Sequence, residues 1–278
     1  VNLARRKGYI GAGVFNIFSA CKKRSSSITC FSASLADFSF RQINDMRRLS
    51  TSLKRSLIGY LIMLLFLVAA VLESFHWEGD SRIRLVGWNI LVIWLFALGA
   101  LFLQRAAGFP EWMDTRVNNK SRFLLPLWIG FLFGVADLVV YELILQHPPY
   151  KELPPFLQPF PHSIFLYFCG AIYVDVLFKL LPMTIVMAIA RRFGSAKIAE
   201  IVFWISASIL ALYEPLEQIP DGSVALIIYA IVSGFAFNLL AIIFLRKYGW
   251  FAALMVRWGH YLLWHILLGI YVEFFVIG

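Results

Sequence analysis

Charge is scarce in this sequence. Only 15% of its 278 residues are Asp, Glu, Lys or Arg, where a soluble domain carries about 25%. Apolar residues make up 60% and aromatics 17%. Such a chain has too little polar surface to cover itself in water, which excludes an ordinary soluble fold. Cysteine is also scarce. Cys21, Cys30 and Cys169 show neither zinc-ligand nor disulfide spacing, and Cys169, inside an apolar run, reads as a small hydrophobe. There is no phosphate-binding P-loop, G-x-G-x-x-G, G-x-S-x-G or H-E-x-x-H, so soluble nucleotide or hydrolase chemistry has no support. Acidic residues number 16 against 25 Lys and Arg. In a soluble protein that excess would suggest nucleic acid. Here the cations sit between apolar stretches and read as topology signals, so no nucleic-acid partner is expected.

What the sequence does have is long apolar runs. Seven are evident, at about 56–72, 85–103, 123–145, 163–190, 199–217, 224–245 and 250–277. Each approaches or exceeds the roughly 20 residues needed to cross a bilayer as a helix. Gly, Pro and charge clusters punctuate them. The expected fold is all-α, a polytopic transmembrane helix bundle in contact with the lipid bilayer. The run 163–190 is long for one crossing and holds Pro182, which should kink or break it. A re-entrant turn plus a span is the alternative.

Orientation follows from the distribution of cations. With the N-terminus in the cytoplasm, the inner flanks and loops hold Arg41, Arg47, Arg48, Lys54 and Arg55, then Arg105, Arg116, Lys120 and Arg122, then Arg191, Arg192 and Lys197, then Arg246 and Lys247. The outer loops hold only Arg82, Arg84 and Lys151, beside Glu73, Glu78, Asp80, Glu217 and Asp221. This asymmetry favours seven crossings, N-terminus in and C-terminus out.

Residues 1–45 differ from the rest: basic, Ser-rich and without a spanning run. They read as a disordered tail, a targeting peptide or a mis-called start preceding Met46, after which Met46-Arg-Arg-Leu-Ser-Thr-Ser-Leu-Lys-Arg leads into the first span as a bacterial inner-membrane protein often begins. Residues 46–278 are the membrane domain.

Two cations, Lys179 and Arg257, fall inside spans. A charge near the bilayer centre costs at least about 2.5–3.5 kcal/mol, so it turns inward toward a partner and marks function by default. Asp175 and Lys179 are four apart on one helical face. Arg257, Tyr261 and His265 form an i, i+4, i+8 stripe, flanked by His260. His260 and His265, five apart, do not clasp one metal as an i, i+4 pair does. Asp137, Glu214 and Asn238 complete the intramembrane polar set. Asp137, Asp175, Lys179 and His265 also permit a transporter reading, although no internal repeat supports it. Gly130 and Gly134 form a small-x-x-x-small pair suited to close helix approach. Trp88, Trp94, Trp112, Trp128 and Trp250 lie toward span ends and are expected to anchor at the interface.

The layout from about 163 to 270 resembles the CPBP intramembrane proteases, which include the CAAX prenyl endopeptidases and the bacteriocin-processing and abortive-infection proteins. That family carries E-E-x-x-x-R, F-x-x-x-H and H-x-x-x-[N/D] on successive spans. Val174-Asp-Val-Leu-Phe-Lys179 resembles the first motif by position. Ser208-Ile-Leu-Ala-Leu-Tyr-Glu-Pro215 resembles the helix leading to the second. Arg246-Lys-Tyr-Gly-Trp-Phe-Ala-Ala-Leu-Met-Val-Arg257 resembles the approach to the third. Gly108-Phe-Pro-Glu-Trp-Met-Asp114 followed by Arg122-Phe-Leu-Leu-Pro126 is similar to a bacterial branch.

The catalytic letters depart. Val174 stands at the first Glu, Asp175 at the second, Lys179 at the Arg, Glu214 and Arg257 at the two His, and Tyr261 at the Asn/Asp. The resemblance implies a membrane-peptide-processing metalloendopeptidase of the cytoplasmic membrane with a degenerate site at Asp175, Lys179, Glu214 and Arg257. If a zinc is held, Glu214 with His265 or His260 would hold it, Asp175 would act as base, and Arg257 would stabilise an oxyanion. Because Arg stays protonated and cannot ligate a cation, the same substitutions equally imply a pseudoenzyme that binds a membrane-embedded peptide or lipid.

Overall fold

The computed structural model describes the backbone of residues 27–277, apart from 78, 80 and 147, with side chains from residue 51 onward. Among these residues every regular element is helical. Helix α1 runs Ser27–Ser74 and closes in a short 3₁₀ turn, Phe75–Trp77. It therefore reaches back into the segment expected to be a tail; residues 1–26 of that segment lie outside the described residues. Then follow α2 (Asn89–Ala107), α3 (Lys120–Ile144), α4 (His162–Phe193), α5 (Ala196–Glu217), α6 (Val224–Tyr248) and α7 (Trp250–Val276). All seven contain a stretch long and apolar enough to cross a membrane. Outward rows such as Leu61, Leu65, Leu95, Leu132, Ile209 and Val232 are exposed, as lipid contact requires of a chain with this composition. The protein is an integral membrane protein by these criteria.

Pro182 does not break α4. The backbone widens into a π turn over Val176–Leu180 and resumes α-helix at Leu181, with Pro182 in the first turn. A proline ring clashes with the carbonyl four residues back and donates no hydrogen bond; a local π turn accommodates both without ending the helix. At 32 residues, α4 is about 48 Å long, a single crossing rather than a re-entrant pair.

Short connections fix the order of the second half. α4 and α5 are joined through Gly194 and Ser195, whose hydroxyl accepts from the Ile198 amide and caps α5. Ser223 caps α6 in the same way. Between α6 and α7 there is one residue, Gly249, at φ +91°, a region closed to most L side chains.

The seam between α3 and α7 is built from glycine. A Cβ on Gly130 would collide with the Val256 carbonyl, and one on Gly259 with the Leu127 carbonyl. The two backbones touch directly, as small-residue interfaces allow in membranes. Of the expected interface anchors, only Trp88 and Trp128 are exposed, at 58% and 56%. Trp94, Trp112 and Trp250 are fully buried. They pack against one another and Tyr60, with Trp112 and Trp250 ring centroids 4.4 Å apart and Tyr60 stacked on Trp94 at 4.8 Å. Tertiary packing of α1, α2, the α2–α3 loop and α7 wins here over the interface preference of indole.

The connections on both sides are ordered by polar contacts. In the α2–α3 loop, Glu111 pairs with Arg105 at 2.6 Å and Asp114 with Arg116 at 2.6 Å. Burial pushes the Glu111 carboxyl above its ordinary value despite the pull of Arg105. Burial also acts on Asp114, but the hydrogen bonds and charge of Arg116 outweigh it and hold that carboxyl low. On the opposite side, His162 is buried between Glu73 at 2.7 Å and the Arg84 carbonyl at 2.8 Å.

Candidate functional site

Four helices deliver the intramembrane polar residues to one place. Asp175 and Lys179 come from α4, Glu214 from α5, Asn238 from α6, and Arg257 and Tyr261 from α7. The Lys179 ammonium donates to Asp175 Oδ1 at 2.6 Å, across the π turn. Arg257 lies at the centre. Its Nε donates to Asp175 Oδ1 at 2.9 Å, and its two Nη groups meet Glu214 head-on at 2.7 and 2.6 Å. Nη2 also donates to Asn238 Oδ1 at 2.9 Å and Nη1 to the Tyr261 hydroxyl at 3.2 Å. A guanidinium has five N–H donors, and these contacts occupy them all. Lys179 also lies 3.7 Å from Glu214.

The energetics of this cluster follow from its isolation. Lys179 and Arg257 are 1% and 2% exposed, and Asp175 is fully buried. Two cations and two anions cancel, so no net charge is stranded in a low-dielectric interior, where an unpaired ion costs several kcal/mol. A parallel Arg–carboxylate fork is the strongest form of such a pair. Phe237 and Tyr261 rings flank the guanidinium at 5.4 and 5.6 Å and add cation–π attraction.

A second constellation lies on the α3 side. Asp137 on α3 accepts from the Tyr229 hydroxyl at 2.6 Å and from His260 Nε2 at 2.5 Å. His260 Nδ1 has no hydrogen-bond partner among the described residues. His265 is bonded to other partners. Its Nδ1 bonds the Phe156 carbonyl at 2.8 Å and its ring stacks on Tyr167 at 4.2 Å. The expected Arg257–Tyr261–His265 stripe is present, with Tyr261 and His265 edge to face at 4.7 Å.

These engagements bear on zinc. Both Glu214 oxygens are held by Arg257, His260 Nε2 by Asp137, and His265 Nδ1 by a carbonyl. Among the described residues no group of three or more His, Cys, Asp and Glu side chains is placed to hold a metal ion. The ligand set Glu214 with His265 or His260 is thus not assembled, and the fixed cation of Arg257 sits against the carboxylate that a metal would need. The residues present do not fit the metal that the CPBP resemblance would imply.

Beside the cluster opens a cavity of about 420 Å³, within the usual range for a small-molecule site. It is lined by Arg257, Glu214, Asn238 and Tyr261 of the cluster, by Asp137, Tyr229, His260 and His265, and by Gln218, Pro220 and Asp221 of the α5–α6 connection, of which Gln218 and Asp221 are exposed. Phe133, Tyr141, Phe156, Phe237 and Trp264 supply aromatic wall. Sequence spacing brings out the Asp175–Lys179 pair and the α7 stripe. It gives no sign of Tyr229, whose partner is 92 residues away, or of the role of Asn238. The only available signal was Asp137 itself, an intramembrane carboxylate that had to have partners on other helices.

No family model matches this sequence, and no curated protein or solved structure matches it.

Proposed function

We propose that this protein is a non-catalytic membrane protein of CPBP-like layout, and that its cavity between α3, α5, α6 and α7 holds a membrane-embedded peptide or lipid. The observation that carries this reading is the position of Arg257. It stands where the family layout has a metal-binding histidine, and its donors are saturated by Asp175, Glu214, Asn238 and Tyr261. The convergence of the α4, α5 and α7 motif positions on one point supports the layout. The departures at those positions argue against hydrolysis. A metallopeptidase needs a metal-bound water beside a carboxylate base, whereas here each acidic group of the cluster is bonded to a cation.

The test is elemental analysis of detergent-purified protein under non-chelating conditions, beside the Glu214→Ala/His265→Ala variant. The expected result is no metal above background in either. A stoichiometry near one zinc per chain, lost in the variant, would sink the reading and restore a working, re-liganded peptidase. A photoreactive residue at Phe156 gives the positive arm: the expected cross-link is to co-purifying lipid or peptide.

A further inference from the structure

The charge balance around the cavity is uneven. Its lining carries three carboxylates, Asp137, Glu214 and Asp221, against one guanidinium, Arg257. Arg257 is neutralised by Glu214 at 2.6 Å, and behind them Lys179 cancels Asp175 at 2.6 Å. That leaves Asp137 and Asp221. Asp137 is bonded to a phenol and an imidazole and has no Lys or Arg partner among the described residues. Counted over Asp, Glu, Lys and Arg, the lining is net negative.

The rest of the wall suits a cation as well. Tyr141, Phe156 and Trp264 form one aromatic corner, with Phe156 stacked on Trp264 at 5.7 Å and Tyr141 edge-on to both. Phe237 packs beside His260 at 5.1 Å. Aromatic faces attract ammonium groups within about 6 Å, and a low-dielectric wall strengthens the pull of a carboxylate. An anion would meet Asp137 and Asp221, with the Arg257 guanidinium already saturated. A neutral apolar ligand would add nothing to the Tyr229 and His260 contacts that Asp137 already has.

Building on the reading of this cavity as a binding site, we propose that it selects an organic ammonium group, with Asp137 as the counter-ion, the Tyr141–Phe156–Trp264 corner as the π surface and Asp221 as the exposed charge. The group has two possible sources: the headgroup of an amino-lipid or a free small amine.

The experiment uses full-length protein in nanodiscs of phosphatidylglycerol, which contain no ammonium. Binding of phenethylammonium, its isostere phenethyl alcohol and the anion phenylacetate is measured by calorimetry. The expected result is phenethylammonium at least about tenfold tighter than the alcohol, with phenylacetate not bound. Asp137→Asn should erase that preference, and Asp221→Asn, at the protein surface and safe for folding, should weaken it several-fold. Equal affinity for ammonium and alcohol, unchanged in both variants, would overturn the ammonium inference while leaving an apolar binding cavity in place. No binding of any probe, with no lipid or peptide cross-link at Phe156, would overturn both. If phosphatidylethanolamine in the disc displaces phenethylammonium, the inference holds and a lipid headgroup is the source; if it does not, the ammonium inference holds with a free amine as the source, and the membrane-embedded occupant proposed above is overturned.

Discussion

Arg257 and Glu214, 43 residues apart in sequence, face each other through two near-parallel hydrogen bonds of 2.7 and 2.6 Å. The pair is buried, so each partner depends on the other. Glu214→Gln should leave two buried cations, Lys179 and Arg257, sharing the single carboxylate of Asp175 and cost about 3–5 kcal/mol, read as a large fall in thermal midpoint in detergent. Glu214→Leu combined with Arg257→Met should cost much less than the sum of the singles, because a volume-matched apolar pair removes the stranded charge. Additive single effects would show that the two residues do not act as a unit.

The glycine seam makes a sharper structural prediction. Gly130→Ala and Gly259→Ala each place a methyl against a backbone carbonyl of the facing helix. Each should destabilise by at least about 1–3 kcal/mol, the usual cost of overpacking. Gly99→Ala and Gly170→Ala meet nothing within 4 Å and serve as controls, expected to hold or slightly raise the midpoint. Parity among all four variants would refute direct contact between α3 and α7.

Buried and exposed tryptophans should part company. Trp112→Ala removes the centre of the Tyr60–Trp94–Trp250 cluster and should cost about 3–5 kcal/mol. Trp128→Ala, at an exposed site, should stay within about 0.5 kcal/mol. Thermal melting of both variants checks this, and the reverse ranking would return Trp112 to the interface.

Asp114 should give a small acid-sensitive contribution to stability. Its carboxyl is held below its ordinary value by Arg116 against the opposing effect of burial. A depressed folded value stabilises the fold above the unfolded pKa, near 4, and that stabilisation is lost as pH falls through the lower folded value. Wild type should therefore lose more stability than Asp114→Asn between pH 5 and pH 3. Parallel pH–melting curves would count against the Arg116 pairing.

Much of the architecture was readable because the bilayer restricts the choices. Backbone groups in hydrocarbon must bond within a helix or a closed barrel, and continuous apolar runs of this length fit the helix, so these runs and the loops between them translate almost directly into the seven helices. The α2 start moved from 85 to Asn89 because Val86 and Gly87 belong to an irregular approach rather than to the helix. The pairing of Asp175 with Lys179 was legible because both lie on one helix. The pairing of Asp137 with His260 and Tyr229, and the burial of Trp94, Trp112 and Trp250, depend on which helix faces which. Periodicity within one span carries no information on that. The outcome at Pro182 turned on a π turn, for which Val176–Leu180 shows no distinctive residue pattern.

The cluster at Arg257 also bears on how the chain is made. α7 is the least apolar of the seven helices, and Arg257 adds to the cost of its entering lipid alone. Synthesis runs from N- to C-terminus, so α4, α5 and α6, which carry Asp175, Glu214 and Asn238, are complete before Arg257 leaves the ribosome. The partners of the arginine are thus available when it needs them, and lateral entry of α7 becomes a docking step into a prepared groove rather than a partition into bare hydrocarbon.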